Sequence, residues 1–254
     1  KTFPLRSLSV EEAMTLQFKA VDAITRHFDG SEVLSLGDLG VSSGINKPRT
    51  TLKAEQVIAE LFDAESALFV RGAGTGAIRW ALVATVKPGD TILVHKAPVY
   101  PTTKVTLDTM DIRTLEADFN DTQDITRVLE QYGDTVSAAL VQHTRQKIDD
   151  KYDFKEVIET IKDAAPALPI ITDDNYAALK VPEIGCQAGA DIATFSCFKT
   201  LGPQGVGVLI GKKKYIDTVY KLQYSGGSQI QGFEAMEVLR GLIYAPVSLA
   251  IQAE

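Results

Sequence analysis

Ile192-Ala193-Thr194-Phe195 leads through Ser196-Cys197-Phe198-Lys199-Thr200-Leu201-Gly202-Pro203-Gln204-Gly205-Val206 into Gly207-Val208-Leu209-Ile210. Two short apolar runs around a Gly/Pro segment read as two strands joined by an ordered loop. Lys199 has an apolar strand behind it and a tight loop ahead. Its amine is therefore expected to be partly desolvated and less basic, as a nucleophilic lysine requires. Alone this signal is weak, since a lysine at a strand end is usually just solvated.

Working outward, the rest of the chain alternates in the same manner. Strands are predicted at 67–70, 91–94, 112–115, 138–141 and 169–172, separated by helical periodicity at 76–86, near 99–109, 122–132 and 154–164. An opening helix spans about Val10 to Phe28, with Ser9 as its cap before Glu11 and Glu12. An ordered Gly- and Ser-rich loop from Gly37 to Gly44 precedes a second helix from about Leu52 to Phe62. Beyond residue 210 the pattern is a helical tail interrupted by Pro246. Such alternation predicts an α/β fold of three α/β/α layers, a mostly parallel sheet with right-handed crossovers. Ligands in these sheets bind beyond the carboxyl ends of the strands.

Composition narrows the function classes. The 254 residues carry a formal net charge of −7, which disfavours nucleic acid as a partner. Lys212-Lys213-Lys214 reads as a solvated turn. Two cysteines, Cys186 and Cys197, make neither a disulfide framework nor a metal pattern, and Cys197 reads as a small buried residue. His27, His95 and His143 are scattered, so no metal site is expected. No apolar run approaches the ~20 residues needed to cross a bilayer. Phe3, Leu5 and Leu8 interleave with Arg6, Ser7 and Ser9, unlike a secretory signal, so the expected setting is the cytoplasm, away from membranes.

Two further stretches carry chemistry. Arg71-Gly72-Ala73-Gly74-Thr75-Gly76-Ala77-Ile78 lies between a predicted strand and helix, where free N–H groups and the helix dipole favour an anion. Its spacing also satisfies a loose dinucleotide fingerprint. The next strand, however, ends in His95-Lys96 where NAD would call for an acid, so an NADP-dependent oxidoreductase using the Gly72–Ala77 loop stays open as an alternative. Thr172-Asp173-Asp174-Asn175-Tyr176 closes another strand, and a carboxylate there can pair with a protonated pyridine nitrogen. As an isolated residue, Asp173 would more often be a cap.

The order of a Gly-rich loop, an Asp closing one strand and a Ser-x-x-Lys closing another resembles the fold-type I pyridoxal phosphate (PLP) enzymes, the aspartate aminotransferase superfamily. Asp191 to Lys213 is similar to the lysine segment of the branch with selenocysteine synthase, class V aminotransferases and Cys/Met-metabolism lyases. His143-Thr144-Arg145-Gln146 resembles the His-Thr-Ser-Asn strand end of selenocysteine synthase and departs from it at the last two positions. Across nearly the whole chain the resemblance is to the YhfS-type PLP proteins, grouped with aminotransferases.

This resemblance implies roles. Lys199 would hold PLP as a Schiff base and shuttle protons at the substrate α-carbon, while Asp173 keeps the ring nitrogen protonated. Gly74, Thr75 and Gly76, with Ser196, would bind the phosphate. Tyr100 would stack on the ring, with His95 as its rival. Arg49, in Lys47-Pro48-Arg49-Thr50, resembles an arginine that reaches a neighbouring subunit's phosphate, which implies a homodimer or higher homo-oligomer. Ser225-Gly226-Gly227-Ser228-Gln229 resembles a cysteine-desulfurase segment near the partner's site. The implied organisation is an amino-terminal helix and interface loop over 1–50 and a PLP-binding large domain over 51–254, with the small carboxy-terminal domain, which usually supplies the arginine for the substrate carboxylate, largely absent. The expected activity is that of an aminotransferase on an amino acid, with β- or γ-elimination as the alternative and a cofactor-binding protein without turnover as a third reading.

Overall fold

A computed structural model describes residues 5–254. Phe3, part of the amino-terminal segment read above, lies outside them. One seven-stranded sheet organises the chain: β1 (Ser66–Arg71), β2 (Thr91–His95), β3 (Arg113–Ala117), β4 (Val136–Gln142), β5 (Ile170–Asp173), β6 (Ile192–Ser196) and β7 (Val206–Gly211). Their spatial order is β1-β7-β6-β5-β4-β2-β3. β7 runs antiparallel to both neighbours, and the remaining pairs are parallel. The reversal follows from the connection over 197–205, which holds no crossover helix such as a parallel return requires.

Helices cover both faces. They are α1 (Val10–His27), α2 (Arg49–Leu61), α3 (Ala73–Thr85), α4 (Pro101–Thr109), α5 (Thr122–Tyr132), α6 (Phe154–Ala164), α7 (Lys213–Leu222) and α8 (Gly232–Ala253). Strand alternation sorts the core: Phe69, Phe195 and Val208 pack with Ile24, Ile58 and Met236, while Leu68, Ile192 and Leu209 pack with Leu82, Ile216 and Val219. A third cluster places Leu93, Ala139 and Ile170 against Ile125, Val157 and Ile161. The three-layer expectation holds.

Two of the differences from the periodicity have identifiable physical causes. α2 starts at Arg49 because the Asp38 carboxylate accepts the N–H groups of Arg49 (2.7 Å) and Thr50 (2.9 Å), a cap supplied from eleven residues upstream. The break expected at Pro246 does not occur; α8 runs through it, and the tail divides instead at 223–231. Proline costs one intrahelical bond, but Pro246 is buried in a helix that packs on α1 and α2, and that packing holds the helix together. Ser9 and Glu12 form the reciprocal cap of α1.

Candidate active site

The carboxyl ends of β4, β5 and β6 and the amino terminus of α3 surround a cavity of about 980 Å³. Gly74, Thr75, Tyr100, Asp173, Ser196 and Lys199 all line it. Sequence-distant residues meet there because each closes a strand or opens a helix at the same sheet edge.

β6 ends at Ser196, and a short 3₁₀ turn, Cys197–Thr200, carries Lys199 to the cavity. The turn closes through Gly202 N–H and Thr200 Oγ1, which both donate to the Cys197 carbonyl at 2.8 Å. Leu201 then takes a left-handed conformation, φ 60°, a mild strain for a residue with a Cβ. Lys199 Nζ sits 3.8 Å from the centroid of the Tyr176 ring. Burial lowers the lysine's pKa, with the Asp173 charge opposing the shift. Cys197 is fully buried and its thiol is held neutral by desolvation.

The two adjacent acids at the end of β5 face different surroundings. Asp173 lines the cavity and accepts from the backbone N–H (3.1 Å) and side-chain amide (2.8 Å) of Asn175. Burial raises its pKa despite those donors. Asp174 is wholly buried and accepts from His143 Nδ1 (2.6 Å), Thr172 Oγ1 (2.6 Å) and the Gly185 N–H (3.1 Å). The His143 ring in turn stacks flat on Phe154.

The Gly-rich loop is held close to the sheet. Gly72 and Ala73 are both left-handed, φ 96° and 53°, and their N–H groups donate to the Gly205 carbonyl. A side chain at Gly207 would bring its Cβ to 2.1 Å from the Ala73 carbonyl oxygen, so glycine is required where the loop crosses β7. The N–H groups of Gly74 and Thr75 lie in the first turn of α3, where no intrahelical acceptor exists. Gly76 corrects the expectation for it: its N–H donates to Gly72 O at 2.8 Å, and it is absent from the cavity wall. A Cβ there would meet the Arg71 carbonyl oxygen at 2.0 Å, so this glycine serves packing, and of the three residues it is Gly74 and Thr75 that line the cavity.

Tyr100 stands at the start of α4 on the cavity wall. His95 is buried behind it: Nδ1 accepts the Phe119 N–H at 3.0 Å, which puts the ring proton on Nε2, facing Asp150 Oδ1 at 3.0 Å. It is available neither to stack on a cofactor in the cavity nor to hold a 2′-phosphate. Arg49 does not line this cavity; its side chain is exposed beside the Asp38 cap. Gln229 is buried against Gln223, and its carbonyl accepts from Arg71, away from the cavity wall. Among the described residues no cluster of His, Cys, Asp and Glu suits a metal ion.

Several residues had no assigned role at the level of sequence: Asn175, which pins Asp173; Tyr176, beneath Lys199; Thr102, bonded to Thr75 Oγ1 at 3.1 Å; and Arg145. The buried Lys47–Glu55 pair, at 2.6 Å, was equally silent, since its burial depends on β1 and Tyr220 closing over it. A fit to PLP can be tested on unsatisfied atoms. Ser196 Oγ and Asn175 Oδ1 are buried without a hydrogen-bond partner, a condition proteins avoid unless a ligand completes the set. Ser196 shares the cavity wall with the Gly74–Thr75 amides, and Asp173 and Lys199 share it with Tyr100, so the donors suit a phosphate and the acid–amine pair a pyridine aldehyde.

Comparison with known proteins agrees. The class-V aminotransferase family description matches residues 44–238. YhfS of Escherichia coli (strain K12), itself uncharacterised, is 52% identical over 253 residues, covering 100% of this chain and 69% of that protein. The crystal structure of Escherichia coli YhfS, described as pyridoxal-5′-phosphate dependent, superposes with a TM-score of 0.96 over the same shares. A carbon-sulfur lyase involved in aluminium resistance from Clostridium novyi NT shares the fold at TM-score 0.76 and 21% identity, over 96% of this chain and 63% of that one.

Proposed function

Because this chain belongs to the class-V aminotransferase family and is a PLP-dependent enzyme, we propose that it is an aminotransferase acting on an amino acid through Lys199. The carrying observation is the convergence of Lys199, Asp173, Ser196 and the Gly74–Thr75 amides on one cavity. PLP, when bound, supplies an electron sink for the carbanion left after a bond at the substrate α-carbon breaks.

The chain's own residues do the rest. Lys199 would supply the amine that holds the cofactor and a base for moving a proton at the substrate α-carbon; its lowered pKa leaves more of it neutral for that task. Asp173, held in place by Asn175, would keep a proton on the pyridine nitrogen. Ser196 Oγ and the two α3 amides would bind the phosphate, and Tyr100 would flank the ring. Elimination at the β- or γ-carbon uses these same residues and is the second reading.

Leu34, Leu36 and Leu39 are each more than 70% exposed on the loop leading to Arg49, an apolar surface suited to a second copy of the chain. This supports a homodimer in which Arg49 approaches the partner's phosphate. The acidic chain, whose described residues include no helix long and apolar enough to cross a membrane, is proposed to work in the cytoplasm.

The test is the visible absorption of PLP-treated protein. A band that borohydride removes, leaving a reduced adduct on Lys199 by peptide mass spectrometry, is expected for wild type and absent in Lys199→Ala. A colourless wild type would sink the assignment. An aminotransferase then stalls with added amino acid until a keto acid is supplied, whereas a lyase releases keto acid and ammonia unaided.

A further inference from the structure

We infer that Asn175 is a positioning residue that couples the two ends of the cofactor site: its side chain holds Asp173 by one oxygen and rests on Gly74, so the acid for the ring nitrogen and the first turn of α3 keep a fixed separation. This rests on the reading of Asp173 as the acid that meets the pyridine nitrogen. Asp173 closes β5 and Gly74 lies in the first turn of α3, and the two are far apart in sequence. Asn175 stands between them, lines the same cavity and is 8% exposed.

Both Asn175 donors go to a single atom. Its backbone N–H (3.1 Å) and its Nδ2 (2.8 Å) reach Asp173 Oδ1, and among the described residues nothing donates to Oδ2. A carboxylate fixed by one oxygen leaves the other for the cavity it lines. The backbone bond would form with any residue at 175 that keeps this turn. The side-chain bond needs an amide, and its orientation is dictated: turning the group over would set its oxygen against the Asp173 carboxylate. In the orientation kept, Asn175 Oδ1 is buried without a partner. Stranding an acceptor is unfavourable, so the bond to Asp173 outweighs it. Burial raises the Asp173 pKa, and the two Asn175 donors, with the Lys199 charge, oppose it in favour of the ionised acid.

Gly74 fixes the amide from its other side. A Cβ at 74 would lie 2.1 Å from Asn175 Oδ1, 2.4 Å from Nδ2 and 2.6 Å from Cγ, so the amide packs directly on the glycine. All three atoms belong to the end of one side chain. A methyl group at 74 would therefore displace the amide and leave strand and helix in place. A change at the phosphate end is thereby passed to the acid at the ring-nitrogen end.

The experiment reads binding and not turnover. Dissociation constants for PLP and for its deaza analogue, in which C–H replaces the ring nitrogen, come from fluorescence titration of cofactor-free protein, with circular dichroism as the check of fold. Both ligands carry the same phosphate and aldehyde, so the ratio of their constants isolates the Asp173 contact. Wild type is expected to prefer PLP. Asn175→Ala, which keeps the backbone N–H, should lose about 10-fold of that preference, the worth of a hydrogen bond to a charged group, with the analogue bound as in wild type. Gly74→Ala should lose a similar factor from the opposite end of the site, and any weakening of phosphate binding cancels in the ratio. In Gly74→Ala/Asn175→Ala the amide is already gone, so the loss should equal that of Asn175→Ala alone, whereas independent sites would multiply. An unchanged preference in either single variant, or a double variant whose losses multiply, overturns the inference. The two substitutions lie on different elements, so if one variant fails to fold the other decides. A wild type that binds PLP and the analogue equally overturns the Asp173 reading along with it. A wild type that binds neither is a different result, the failure of the cofactor reading itself.

Discussion

The segment after β6 and the segment after β4 reach the same cavity by opposite means. The first, from Ser196 to Gly205, is shaped by its backbone: the 3₁₀ turn, the left-handed Leu201, and the Gly205 carbonyl that receives Gly72 and Ala73. Its buried hydroxyl, Ser196 Oγ, has no partner. The second, from His143 to Asp150, is shaped by buried charge, with His143 on Asp174 and His95 on Asp150. Polar groups that the fold satisfies itself make scaffold, and polar groups it leaves open make a binding surface. The contrast suggests that the two segments can be damaged separately.

The largest expected effect falls on the backbone-shaped side. Gly207→Val places a branched side chain where even a Cβ would lie 2.1 Å from Ala73 O and 3.2 Å from the Ala77 Cβ. Neither the sheet nor the loop can yield without losing the Gly72 and Ala73 bonds to Gly205, so a loss of about 4 kcal/mol or more is expected in urea unfolding. A loss below about 1 kcal/mol would show that the loop is not pinned against β7.

Next comes the charge-shaped side. Asp150→Ala strands the His95 Nε2 proton in the interior and leaves the part-buried Gln146 and Lys147 N–H groups without their acceptor, at a cost of about 3 kcal/mol. The Lys199 segment does not depend on Asp150, so the PLP absorption band should survive in this variant while stability falls. Loss of the band together with stability would mean that the two segments are one unit.

These two segments also mark what sequence could reveal. The sheet was readable because most of its strands are short apolar runs set apart by helices or by turn residues, and both faces are covered. That Lys199, Asp173, Ser196 and Gly74 would meet at one sheet edge was readable because each closes a strand or opens a helix there. The β4 segment was not. His95 and Asp150 are fifty-five residues apart, and nothing local distinguishes a histidine that stacks on a ring from one that anchors a turn. Gly76 misled for a related reason: whether an N–H is free depends on the helix starting at Ala73, and the apolar pattern placed that start three residues later. Pro246 was misplaced because packing against α1 and α2, invisible in sequence, outweighs one missing bond.

The comparison also predicts a difference in acid response. Burial opposes ionisation of Asp150, but the donors from Lys147, His95, Asn120 and Gln146 prevail and hold its pKa at about 2, below the ordinary aspartate value of 3.8. A carboxyl held low stabilises the fold at neutral pH, and that contribution is lost as pH falls from about 4 toward 2. Asp150→Asn cannot titrate, so the stability gap between it and wild type should narrow over that interval in acid unfolding followed by circular dichroism. A gap that stays constant would mean the donors hold an uncharged group equally well.

The smallest effect is the most discriminating, because it should carry opposite signs in two measurements. Ser196 Oγ is buried with no partner, so the protein without ligand bears its desolvation cost. Removing the hydroxyl in Ser196→Ala should leave the cofactor-free protein equally stable or more stable by up to about 1 kcal/mol. If the hydroxyl instead completes its bonding on the cofactor phosphate, the same change should weaken PLP binding by about 10-fold, the lower end of what one hydrogen bond to a charged group is worth. No scaffold residue behaves this way: Thr200, whose hydroxyl is satisfied by the Cys197 carbonyl at 2.8 Å, should lose stability on truncation with little change in PLP affinity. Fluorescence titration of PLP against both variants, beside their melting curves, separates the two classes. If Ser196→Ala destabilises the free protein and leaves PLP affinity intact, its hydroxyl belongs with the scaffold, and the phosphate is held by the α3 amides without it.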